Sequence, residues 1–321
     1  MRTLITAEDL AAALAADGNT DGRTDGNTDG RTGAARRGHL RLLDVRWKLG
    51  GPPGRTEYLA GHLPGAAYVD LDEELAGHGA PTDGRHPLPS IDVLQEAARR
   101  WGLNDGDTVV VYDDLGNLSA ARAWWLLRHA GVRDVLLLDG SLAAWRDAGL
   151  PLVAGEEPIA PGAVTLAYGR LATLDVDAAA ALPGTGVLLD ARAAERYRGD
   201  TEPIDPRAGH IPGAISAPTT LNLGPDGGFL PAGELRARFE RLGVTDAVDV
   251  GVYCGSGVTA AHQAAALAVA GFRAALYPGS WSQWSNLPGR PVETGDLPGR
   301  PAESGDTRSR ADDHSRPHVG L

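Results

Sequence analysis

Apolar residues fall in short, near-continuous runs rather than in a strict alternation. LLDV at 42–45, VVVY at 109–112, VLLL at 135–138, VLLD at 187–190 and VGVY at 250–253 are such runs. Runs of this length and composition predict strands covered on both faces. Between them, SAARAWWLLRH at 119–129 and TAAHQAAALAVA at 259–270 predict helices, and another helix follows 135–138 through Trp145. Strands alternating with helices predict a central parallel sheet with helices on both sides.

The pattern occurs twice. LRLLDVR at 40–46 matches VLLDAR at 187–192, and GHLPGA at 61–66 matches GHIPGA at 209–214. VVVYDD at 109–114 matches VGVYCG at 250–255, and GSLAAW at 140–145 matches GSWSQW at 279–284. Four blocks in the same order mark a duplicated domain. The expected division is a first domain over 1–150, a Pro/Gly-rich linker over 151–168, a second domain over 169–292 and a tail over 293–321. Within the first domain, 17–33 holds the tandem tetrads DGNT-DGRT-DGNT-DGRT. Tetrads and tail are polar, Gly-rich and without an apolar anchor, and are expected to be disordered. The tetrad spacing fits neither an EF-hand loop nor a calcium-binding β-helix repeat.

A length of 321 residues leaves room for two domains of roughly 150 each, and 42% hydrophobic content suffices for two cores. The net charge of -12 disfavours nucleic acid and anionic membranes as partners. It also requires local arginines wherever an anion is to bind. Glu8 and Asp9 interrupt what could otherwise pass for a secretory leader. No run reaches the ~18 apolar residues of a membrane span, so a soluble, cytoplasmic protein is expected. Lys48 is the only lysine beside many arginines, which suits a GC-rich bacterial genome. The single cysteine, Cys254, can form neither an internal disulfide nor a multi-cysteine zinc site. No metal and no cofactor is expected.

Cys254 follows the apolar run 250–253 and precedes Gly255, Ser256, Gly257, Val258 and Thr259, which open a helix. A thiol at the carboxyl end of a parallel strand lies where α/β sheets bind ligands. The glycines let backbone N–H groups turn inward as an anion nest, and the helix N-terminus adds its positive end. Both favour a thiolate, the nucleophilic form, over an inert buried thiol. A cysteine phosphatase would carry an arginine six positions after the cysteine; Ala260 stands there, which removes the phosphate's main stabiliser.

CGSGVTA at 254–260, the two GH[LI]PGA blocks, the DVR/DAR pair and GSWSQW resemble the tandem-domain rhodaneses. Within that family the loop is similar to that of 3-mercaptopyruvate sulfurtransferases. The resemblance covers roughly 1–292 apart from the tetrads. It implies an α/β fold of two tandem rhodanese-like domains, each a central, mostly parallel sheet flanked by helices. Only the second domain is catalytic; Asp113 occupies the cysteine's position in the first. The implied activity is sulfur transfer. Cys254 takes sulfur from a small anionic donor as a persulfide, held by the amides of Gly255, Ser256, Gly257, Val258 and Thr259. A thiol, a thioredoxin-like protein or cyanide then accepts it.

Gly-Ser-Gly lacks the cations that thiosulfate would favour, so 3-mercaptopyruvate is the expected donor, with thiosulfate the alternative. Arg192 is the expected carboxylate clamp and Arg198 a second, with Arg196 and Arg207 competing for the role. Arg46, the counterpart of Arg192 in the domain without a cysteine, argues for a structural role instead. A Ser–His–Asp relay proposed in related enzymes would here join Ser256 to His62, although GGPPG at 50–54 offers no acidic partner. His62 and His210, repeated in both halves, also suit a turn-pinning role. Trp281 is a candidate cleft residue. The rival reading is a non-catalytic rhodanese-like binding module, which has no reason to keep Cys254 in its loop.

Overall fold

The computed structural model describes residues 2–18, 38–297 and 303. The first sheet holds β1 (Leu4–Ile5), β2 (Leu40–Asp44), β3 (Ala66–Tyr68), β4 (Thr108–Tyr112) and β5 (Asp134–Leu138), in the order β1-β5-β4-β2-β3. The second holds β6 (Val187–Asp190), β7 (Ile215–Ser216), β8 (Val250–Tyr253) and β9 (Ala275–Leu276), in the order β7-β6-β8-β9. Every strand pair in both is parallel. The apolar runs of the sequence form β2, β4, β5, β6 and β8. β6 and β8 are buried at every position, as a sheet covered on both faces requires. The edge strands β1, β3, β7 and β9 are too short to make a legible run.

The two domains share one core. The helix Ala120–His129 follows β4, and the helix Thr259–Val269 follows β8; they pack against each other across the boundary. All of Ala120–His129 except Arg128 is buried, as befits a helix in the middle of a molecule rather than on its surface. Ala260, Ala261, Ala264 and Ala265 let the second helix approach closely, and Val111, Trp125, Val258 and Leu267 join one apolar cluster. Among the described residues no helix is long and apolar enough to cross a membrane.

Both domains close with the same clasp. Trp145 Nε1 donates to Pro151 O at 2.8 Å, and Trp284 Nε1 donates to Pro291 O at 2.9 Å. Val153 pairs with His62, and Glu293 pairs with His210. The Gly65 amide donates to Glu157 at 3.0 Å, and the Gly213 amide to Glu293 at 3.1 Å. Residues 291–295 therefore do for the second domain what the start of the linker does for the first. This corrects the expectation of a disordered tail from 293: its first residues complete the fold, and Glu303 ion-pairs with Arg238. The linker is equally fastened, with Val164 and Leu166 buried. The tetrads beyond Gly18, and the chain after Leu297 apart from Glu303, lie outside the described residues. Asp17 Oδ2 accepts the Leu40 amide at 3.1 Å, which joins the end of the first helix to the start of β2.

Ending the chain after Arg290 should lower the urea-measured unfolding free energy by about 2–3 kcal/mol, through lost bridge bonds and a buried indole N–H without its acceptor. Unchanged stability would return residues 291–295 to the tail.

Candidate functional site

Cys254 sits at the carboxyl end of β8. Its amide donates to Ser280 Oγ at 3.1 Å and its carbonyl accepts from the Trp281 amide, which anchors the loop to the next helix, Ser280–Asn286. The Gly257 amide donates to Cys254 Sγ at 3.1 Å. Gly257 has φ +81°, and a Cβ there would stand 2.5 Å from Pro278 O, so only glycine turns this amide onto the sulfur. The residue is 1% exposed, but the thiol is not sealed in hydrocarbon. It lies at the base of an inter-domain cleft of about 330 Å³. Gly255, Ser256, Val258 and Thr259 line the cleft from the second domain, and Trp47, Lys48 and Leu115 are among its first-domain lining.

The equivalent loop of the first domain displays what such a nest holds. Asp113 Oδ1 accepts from the amides of Leu115 and Asn117 and from the Ser141 hydroxyl; Oδ2 accepts from the amides of Ser119 and Ala120. Every partner is placed to donate, which favours the carboxylate form. Burial nonetheless raises its pKa, against the opposing pull of these four amides. In the second domain Gly257 alone among the loop amides reaches the sulfur. Those of Gly255, Ser256 and Val258 meet no protein acceptor among the described residues.

The Ser–His–Asp arrangement exists, with a different histidine. His86 Nδ1 lies 2.7 Å from Ser256 Oγ, and its Nε2 lies 3.4 Å from Asp72 Oδ1. With Nε2–H facing the carboxylate, Nδ1 accepts the Ser256 hydroxyl proton. Burial and Arg122 push the imidazole down to about 4, against the opposing pull of Asp72. His62 is corrected: its ring stacks on Tyr58 at 3.8 Å and its Nδ1 lies 2.8 Å from Tyr58 O, far from the loop serine in purpose and place. His210 repeats both features on Tyr197. Both histidines pin their turns.

The arginines are redistributed as well. Arg192 is buried, its fork spent on Asp190, Gly209 O and Glu202. Arg46 does the same with Asp44 and Gly61 O. The repeated motif is a structural ion pair; Arg192 borders the cleft, but all except one of its N–H groups are held by Asp190, Gly209 O and Glu202. Arg198, two positions after Arg196 on the same short helix, does not share its face and pairs with Asp200 instead. Arg207 is spent on carbonyls of 284–290, and Trp281 is buried beneath Arg192. Arg196 lines the cleft, and so does Arg85 from the first domain. A Cβ built on Gly255 would stand 3.4 Å from a terminal nitrogen of each. Asp205 fastens both, at 2.8 Å to Arg85 and 3.2 Å to Arg196. Arg85, His86 and Asp72 lie between the matched sequence blocks 61–66 and 109–114, where the two halves share elements but not residues, so the duplication could not flag them. The signal was the reverse: charged residues in the unmatched segment of a non-catalytic domain.

Residues 32–148 and 175–287 each match the family of the rhodanese-like domain. A Mycobacterium tuberculosis protein, SseB, provisionally named a thiosulfate sulfurtransferase, is 50% identical over 256 residues, covering 78% of this chain and 89% of that one. A Pseudomonas aeruginosa protein provisionally named a 3-mercaptopyruvate sulfurtransferase is 49% identical over 268 residues, covering 79% and 92%. The crystal structure of SseA from Escherichia coli, a 3-mercaptopyruvate sulfurtransferase, superposes with a TM-score of 0.71 at 32% identity, covering 88% of this chain and 99% of that one.

Arg192→Ala should cost about 3–5 kcal/mol of stability by stranding the Asp190 carboxylate, measured by denaturant titration. A stable variant with a raised donor KM would restore Arg192 as a clamp.

Proposed function

The chain belongs to the rhodanese-like domain family, and from there we propose that it is a sulfurtransferase moving sulfur from 3-mercaptopyruvate through a persulfide on Cys254. The Cys254 sulfur attacks the donor sulfur. An S–S bond forms as the donor's C–S bond breaks, and the electron pair leaves on carbon as the enolate of pyruvate. The proton of the donor thiol ends on that carbon. Ser256, with His86 behind it and Asp72 behind His86, is suited to carry it. The unpaired amides of the loop are suited to hold the negative outer sulfur, as their counterparts hold Asp113. Arg85 and Arg196, beside Gly255, are suited to the donor's carboxylate. An acceptor thiol, on a small molecule or a thioredoxin-like protein, or cyanide then attacks the outer sulfur and restores Cys254. Residence in a bacterial cytoplasm is part of the proposal, on the sequence grounds above.

One observation carries the choice of donor: the 2.7 Å contact of His86 with Ser256. Thiosulfate has no thiol proton, and sulfite leaves without taking one, so a thiosulfate enzyme gains nothing from this relay. Thiosulfate remains the second reading, favoured by the name of the M. tuberculosis relative and by two guanidiniums at the loop.

Intact mass after incubation with mercaptopyruvate should show one added sulfur on the wild type and none on Cys254→Ser. A rhodanese-like binding module would show none on either. His86→Ala should lower kcat with mercaptopyruvate roughly a hundredfold while leaving the thiosulfate rate within a few-fold; equal losses on both donors would remove the relay from the chemistry.

The sign of the pH effect follows from His86. Its folded value of about 4 lies below the unfolded 6.5, so the unfolded chain binds more protons between them. Its contribution to stability is whole above 6.5 and declines as pH falls toward 4. Wild type should lose stability over that window, and His86→Asn should lose less. Parallel pH–stability curves would contradict this.

A further inference from the structure

Arg122, on the first-domain helix Ala120–His129, is completely buried, and among the described residues it has no carboxylate partner. Its donors all go to main-chain carbonyls: Leu75 O at 3.1 Å, His86 O at 3.0 Å, Pro87 O at 3.2 Å and, across the domain boundary, Gly257 O at 3.2 Å. A buried cation bonded only to neutral carbonyls, without an anion, is costly. Burial pushes the guanidinium down to about 10, and the two groups that push it back up are Tyr168 and Cys254. Gly257, whose carbonyl Arg122 holds, is the residue whose amide points at Cys254 Sγ.

The duplication supplies an internal control. SAAR at 119–122 corresponds to TAAH at 259–262, so Arg122 corresponds to His262. His262 reaches back across the same boundary, with Nε2 3.1 Å from Gly116 O in the Asp113 loop. Gly116 and Gly257 share the left-handed conformation, at φ +69° and +81°. Each helix thus sends one side chain onto a glycine carbonyl of the opposite loop. Burial pushes His262 down to about 3, so it is neutral. The loop that carries Asp113 faces a neutral partner; the loop that carries Cys254 faces a cation.

We propose that Arg122 is a positioning residue of the sulfur-transfer reaction, through which the non-catalytic domain holds the Gly257 amide on Cys254 and compensates the charge of the sulfur anion. The inference rests on the sulfurtransferase reading above. Arg122 is behind the loop and touches no donor, so its loss should act on kcat and not on KM.

The test uses the full chain with Arg122→Gln and Arg122→Lys, checked for folding by circular dichroism. With Gln, kcat for mercaptopyruvate and the rate of Cys254 alkylation by iodoacetamide near neutral pH should both fall about tenfold or more, with KM within about twofold. Lys, which keeps the charge, should recover most of both. Asp139→Ala serves as the control for loosened domains, because Asp139 accepts the Phe229 amide across the same boundary at 2.8 Å; it should alkylate like the wild type. A folded Gln variant with wild-type alkylation, a Lys variant as slow as Gln, or a control equally slow would each overturn the proposal. If the Gln variant does not fold, loading the wild type with sulfur should raise its melting temperature by a few degrees, and cyanide should reverse the rise; no shift overturns the proposal. A wild type that takes up no sulfur refutes the sulfurtransferase reading itself, and this inference with it.

Discussion

A parallel strand that ends inside a protein on a tight loop leaves several N–H groups pointing at one place, and that place must be negative. This constraint governs both halves of the molecule. In the first half Asp113 meets it with a carboxylate bonded to four amides. In the second, one amide points at the Cys254 sulfur, and those of Gly255, Ser256 and Val258 meet no protein acceptor among the described residues. The same constraint selects the glycine at 257, since any side chain would collide with Pro278 O. It also fits the non-glycine residues held at positive φ beside each loop, Ser141 at +58° and Ser280 at +53°, which occupy equivalent places.

The domain without the cysteine is not a passive wall. It contributes His86 and Asp72 to the relay, Arg85 to the anion side of the cleft and Arg122 to the back of the loop. The shared core makes these contributions reliable, because the helices that carry or follow the two loops pack against each other without solvent between them. Side chains from two domains can then be held to hydrogen-bond tolerance, which a hinge of exposed polar contacts would not allow.

The architecture was legible because it is written twice, in apolar runs long enough to read. The cysteine loop was legible because strand, glycines and helix adjoin in sequence. What escaped were partners brought together by folding. His86 lies 170 positions from Ser256, and nothing local to either announces the other. His62 was a candidate only through the relay proposed in related enzymes, and its repetition as His210 already pointed to structure. The same logic applies to Arg192: its counterpart Arg46 was visible from the start, and both are buried with the aspartate two residues before them. The end of the second domain was placed at 292, short of its true end, because residues 293–295 look like polar tail. Their role lies in backbone pairing with the His210 turn, which composition does not reveal.

The Asp113 loop has a consequence of its own. A carboxylate extends beyond its β-carbon by two bonds, as a persulfide does, and it cannot be handed to anything. On the proposed mechanism, a sulfur-loaded Cys254 would therefore present to its loop a group of the same reach as the one the first domain always holds. Cys254→Asp would copy that group into the second loop without its reactivity.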